Sequence, residues 1–144
     1  MPRNNYPIGF LFGNTLRMIS RIVIRKLQDR NIDLTFEQFV LMQILHLNGK
    51  LIQQEISEIM GKDKSVILRQ INGLEKRKLV TRSADNKDKR KNVIKMTSKG
   101  VLMFKELFKI QREISQELIV GIDKRELDVF YKVVHAIRGN ASQD

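Results

Sequence analysis

Apolar residues recur every three or four positions over residues 8–30. Leu16, Ile19, Val23 and Leu27 share one helical face there, and Arg17, Arg21 and Arg25 lie opposite. The pattern predicts a helix. A second is predicted over residues 35–47. Thr35 stands as N-cap, and Gln38 three positions on completes a capping box. Leu34 and Phe39 are spaced for a hydrophobic staple, and Asn48-Gly49 ends the run. Residues 53–60 form a short third helix with Ile52, Ile56, Ile59 and Met60 facing inward, and Gly61 stops it. Asp63 is placed to cap a fourth helix running to about Lys78.

The period then changes from helical to alternating. Leu79–Ser83 and Asn92–Met96 are expected to be two short strands, with Ala84–Lys91 as the polar loop between them. Thr97 or Ser98 opens a fifth helix with Leu107, Ile110, Ile114 and Leu118 on one face, broken at Gly121. Asp123 and Glu126 repeat the capping-box pattern before a last helix, where Leu127, Phe130, Val134 and Ile137 line up. The fold expected is mainly α with a small β-hairpin wing. A winged helix-turn-helix occupies residues 34–97, and residues 1–33 and 98–144 make a helical dimerisation region. The outer helices have larger apolar faces than so small a winged domain can cover, so they are expected to pack across a homodimer.

Composition narrows the function. With 42% apolar residues in 144, the chain can bury a core and is not a disordered basic tail. The absence of Cys excludes disulfide scaffolds, thiolate zinc fingers and thiol chemistry. Two His leave little material for a metal site, and His46 and His135 are better explained as structural than as ligands. Arg3, Arg17, Arg21, Arg25, Lys26 and Arg30 interrupt every early apolar run, so neither a membrane span nor a secretory signal is expected. A soluble cytoplasmic protein follows. No Gly-rich phosphate loop, fixed-spacing carboxylate pair or Ser/His/Asp arrangement points to an enzyme or calls for a cofactor.

The net charge of +11 implies an anionic partner, and its distribution is uneven. Residues 50–100 hold 14 of the 27 basic side chains and 6 of the 16 acidic ones, while residues 101–144 are neutral. With Ile67, Ile71 and Leu74 inward on the fourth helix, the opposite line is Ser65, Arg69, Asn72 and Lys76. Recognition helices offer mainly their N-terminal residues to base edges, which makes Ser65 and Arg69 the base readers and Lys64 and Lys76 the phosphate contacts. Val66 and Leu68 flank that face, within reach of thymine methyl groups. In the loop, Lys87, Lys89, Arg90 and Lys91 crowd together with Asp85 and Asp88. Arg90 is the residue expected to enter a minor groove. Asp88 is expected to be an internal partner holding Arg90 or Arg82, since a bare carboxylate would repel DNA. A charged helix face is often merely solvated; the short helix before it and the basic hairpin after it shift the balance toward nucleic acid. The alternative is a non-specific nucleic-acid or RNA-binding module, although few aromatics lie near the basic region to stack on single-stranded bases.

These residues resemble the MarR family of bacterial transcriptional regulators. The resemblance rests on Leu34-Thr35 with Gln38-Phe39, and on Gly61-Lys62-Asp63-Lys64-Ser65 with Arg69, Leu74 and Glu75. Leu79-Val80 with Arg82, Asp88-Lys89-Arg90, and Met96-Thr97 with Lys99-Gly100 complete it. It implies a homodimer with interleaved terminal helices, bound to double-stranded DNA at a pseudo-palindromic operator. Each subunit would present a recognition helix to the major groove and a wing to the adjacent minor groove. It also implies that a small-molecule effector can release the DNA. Ser65 and Arg69 then match recognition-helix contacts, and Asp88 and Arg90 the Asp-x-Arg of the wing. Two departures stand out. Lys78 occupies a position where the family often has Gly, so the turn there is expected to differ, and the lack of Cys removes the thiol-sensing branch.

Overall fold

A computed structural model describes residues 5–143. Its elements run α1 (Ile8–Asp29), α2 (Phe36–Asn48), β1 (Lys50–Ile52), α3 (Gln53–Met60), α4 (Lys64–Lys76), β2 (Val80–Ala84), β3 (Asn92–Met96), α5 (Ser98–Leu118) and α6 (Lys124–Ala141). The chain forms two compact units, one up to Gln111 and one from Arg112.

In the first unit, side chains from four helices and the sheet are fully enclosed. They are Leu41, Met42 and Leu45 of α2, Ile56 of α3, Ile67, Ile71 and Leu74 of α4, Ile94 of β3, and Leu107 and Ile110 of α5. The apolar spacing of α4 and of the first part of α5 thus becomes a buried stripe. α2 begins with the full capping box, in which Thr35 Oγ1 accepts from the Gln38 amide at 3.0 Å and Gln38 Oε1 accepts from the Thr35 amide at 3.1 Å. Leu34 and Phe39 beside it are buried, as a hydrophobic staple requires.

Three helices stop by the same device. The amide just past the end reaches back five residues while the preceding amide reaches back three, which is a Schellman motif. Asn31, Gly61 and Lys78 occupy the left-handed position, at φ 55°, 60° and 59°. At the end of α4, Leu79 N donates to Leu74 O at 3.0 Å and Lys78 N to Glu75 O at 2.9 Å. Lys78 therefore keeps the left-handed turn that the sequence led us to expect would differ.

Other expectations need correction. The wing is not a lone hairpin. β3 pairs on its other edge with β1, giving an antiparallel sheet in the order β1-β3-β2 with Leu51 opposite Ile94 and Val80 opposite Met96. At three residues, β1 is too short to show alternation. α4 ends at Lys76, two residues early, and Asp63 takes the N-cap position without a side-chain cap bond. Ile59 is 53% exposed. The inward arc of α3 is centred on Ile56, Ser57 and Met60, and at 100° per residue Ile59 falls outside it.

The second unit holds the end of α5, a turn at Gly121 (φ 79°) and α6. Asp123 and Glu126 form a reciprocal capping box, both bonds at 2.8 Å. No residue of α6 is buried, and Val129, Phe130, Tyr131 and Val133 are exposed. Among the described residues, no helix is long and apolar enough to cross a membrane.

Candidate nucleic-acid interface

α4 is held from behind by polar contacts as well as by its apolar stripe. Thr35, the α2 cap, donates its hydroxyl to Oε1 of the buried Gln70 at 3.1 Å. Gly73 lets Gln38 lie against the α4 backbone, since a Cβ there would collide with Gln38 Nε2. Ser57 donates to Lys62 O at 2.5 Å and so fixes the turn from α3 into α4.

The C-terminal end of α4 is tied down too. The Arg77 guanidinium donates to Asp33 O. Thr97 bridges to α5: its hydroxyl donates to Lys78 O at 2.6 Å and accepts from the Gly100 amide at 3.0 Å, capping the helix. Gly100 packs directly on the Leu79 carbonyl, where no Cβ fits. The Met96-Thr97 and Lys99-Gly100 pairs in the sequence are thus the bracket that joins α5 to the end of α4.

With α4 fixed in this way, Ser65, Arg69, Asn72 and Lys76 are all exposed along its outer line, and Leu68 beside them is 37% exposed. Lys64 is the first residue of the helix. It shares an open notch of about 370 Å³ with Gln53 and Gln54 from the start of α3 and with Arg90, Lys91 and Asn92 from the base of the wing. The structure thereby brings Lys64 and Arg90 to one place. Lys87 and Lys89 are exposed in the wing loop. Gln53 and Gln54 were not singled out from the sequence, because two uncharged residues opening a short helix carry no signal there.

Both wing carboxylates are used within the loop. Asp85 Oδ2 accepts from the Asp88 amide at 3.3 Å. Asp88 Oδ1 accepts from the Arg90 amide and from Arg90 Nε, each at 3.1 Å. These side-chain and backbone bonds from Arg90, with the Lys91 charge, hold the Asp88 carboxyl below the usual carboxylate range. Arg90 itself stays 91% exposed, tethered at its root with its head in solvent.

Of the two partners considered for Asp88, the structure gives it Arg90. Arg82 turns to α4 instead. Its Nη2 donates to Asn72 Oδ1 at 2.5 Å, and its Nε lies 3.4 Å from Glu75 Oε2, an ion pair by distance without the alignment of a hydrogen bond. Elsewhere, His46 stacks on Phe104 with ring centroids 4.1 Å apart, a packing role.

A three-stranded wing beside a helix-turn-helix, with an outward polar line on its second helix, defines a winged helix-turn-helix protein. Residues 34–91 match the family model described as MarR family. A HTH-type transcriptional regulator of Bacillus subtilis strain 168, YybA, is 22% identical over 129 residues, covering 88% of this chain and 86% of its own. A MarR transcriptional regulator from Methanosarcina mazei Go1 superposes with a TM-score of 0.84 at 22% identity, over 93% of this chain and 95% of that one. A cysteine-to-serine variant of E. coli MarR in complex with operator DNA superposes at 0.80 and 19% identity, over 91% and 93%. Residues 34–91 are thus similar to the MarR family, and the chain has the fold of MarR-family transcriptional regulators.

Proposed function

We propose that this chain is a homodimeric, sequence-specific regulator of transcription that binds double-stranded DNA at a pseudo-palindromic operator and acts in the cytoplasm. The observation that carries the reading is the exposed line Ser65, Arg69, Asn72 and Lys76 on a helix braced from behind, beside a wing whose Arg90 is tethered by Asp88. Ser65 and Arg69 read base edges. Lys64, Lys76, Lys87 and Lys89 hold phosphates, and Arg90 enters the minor groove. The winged domain spans residues 34–97. The flanking segments, 1–33 and 98–144, form the dimer through exposed side chains such as Phe10, Phe12 and Leu16 of α1 and Val129, Phe130 and Tyr131 of α6.

Release by a small effector is the second part of this reading. A groove of about 580 Å³ is lined by Arg30, Ile32, Lys99, Leu102, Met103 and Glu106. Lys99 also donates to Arg77 O at 3.0 Å, so a ligand in the groove touches the bracket that seats α4.

Gel shifts on a selected operator test the proposal. Arg69→Ala is expected to cost ~1–3 kcal/mol of discrimination at one base position. Equal weakening on operator and random DNA would contradict direct readout and favour non-specific binding through charge.

A further inference from the structure

The core side of α4 is complete without Leu68. Ile67, Ile71 and Leu74 are fully enclosed, Gln70 is buried beside them and Val66 is half-buried. Leu68 alone among the apolar side chains of this helix is exposed, at 37%. Its surface neighbours are Lys64 and Ser65 one turn before it, Asn72 one turn after it and the adjoining Arg69, all exposed and polar. A single exposed leucine is ordinary on a protein surface. Its place on this helix is what gives it a consequence. When α4 enters a major groove, docking strips water from the leucine and from the base edge beneath it together. A base edge that offers only hydrogen-bonding groups then loses water and gains no partner from the leucine. Thymine differs, because its C5-methyl is the one alkyl group that the four bases show in the major groove.

We propose that Leu68 is a specificity-determining residue that reads the C5-methyl of one thymine in each half-site by apolar contact, beside the bases that Ser65 and Arg69 read through hydrogen bonds. The inference rests on the reading of α4 as the helix that meets the major groove. It adds to that reading a base preference that no hydrogen bond carries. Of the two apolar residues flanking the outer line, Val66 is half-buried, so Leu68 is the one with free surface to offer. The recognised group is the methyl itself, so thymine is favoured even over deoxyuridine, which pairs identically. The contact buries one methyl against the leucine, which sets its size at about fourfold in affinity for each half-site.

The test scans a selected operator with deoxyuridine in place of thymine, one position at a time in one half-site, using the native chain and Leu68→Ala. Deoxyuridine keeps the base pair and removes only the methyl. The native chain is expected to lose about fourfold in affinity at one position. Leu68→Ala is expected to bind thymine and deoxyuridine alike at that position. A merely structural role of Leu68 would instead weaken both duplexes equally and leave the loss intact. A native chain indifferent to every substitution overturns the inference, and so does a loss that persists undiminished in Leu68→Ala. Should Leu68→Ala not fold, Leu68→Gln, of similar length with a polar end, takes its place and is read by the same comparison. A native chain that selects no operator at all contradicts the DNA-reading proposal itself; one that selects an operator and fails the methyl comparison contradicts only the role of Leu68.

Discussion

Asp88 shows how one side chain can turn a charged loop into a shaped one. Its carboxylate accepts from the backbone and side chain of Arg90, and both bonds favour the ionised form. Its pKa lies lower in the folded chain than in the unfolded chain. Its contribution is therefore present above the ordinary carboxylate value and is lost as pH falls through the lowered one. In a carboxyl titration followed by NMR, Asp88 is expected to have a midpoint below the usual aspartate range. Arg90→Gln is expected to bring it back up, and an unmoved midpoint would deny the tether. Lys78 carries a different residue-scale cost. A left-handed φ of 59° disfavours any side chain by ~1–2 kcal/mol, and glycine removes that strain while adding roughly 0.5–1 kcal/mol of unfolded-state entropy. Lys78→Gly is therefore expected to raise stability in urea unfolding by about 0.5 kcal/mol.

The helices show what a sequence pattern can and cannot reveal. The α2 cap at Thr35 and Gln38, the staple of Leu34 and Phe39, and the stripe Ile67, Ile71 and Leu74 are all local patterns, and each was legible. β1 was not, because three residues show no period and its pairing with β3 is set some forty positions away. The outer line of α4 followed from its inner line. The partner of Arg82 did not, since nothing in the order of residues says that a strand side chain turns back to Asn72 rather than on to Asp88. Lys78 was visible only as a departure, and the backbone bonds of the Schellman motif were needed to show that the turn survives it. The meaning of Gly100 also needed the fold. Its hydrogen faces the Leu79 carbonyl at the junction of α4, β2 and α5. Gly100→Ala is expected to destabilise by ~1–3 kcal/mol through overpacking and to weaken DNA binding by loosening the end of α4. A variant with native thermal stability would show that the junction has slack.

At the scale of the molecule, charge and apolar surface divide the work. Most of the excess of basic side chains lies in residues 50–100, which hold α3, α4 and the wing. The neutral residues 101–144 include α6, which buries none of its own side chains within one chain. Light scattering is expected to give twice the mass of 16.9 kDa, with Phe130→Lys shifting it toward one. A dimer of this kind reads two half-sites about one helical turn, or a multiple of it, apart. Selection from randomised double-stranded DNA with the full chain tests this most directly. The account predicts enrichment of an inverted repeat with that spacing, bound far more tightly than random duplex at the same salt concentration. Recovery of no common sequence, or equal affinity for selected and random DNA across the salt range, would contradict it.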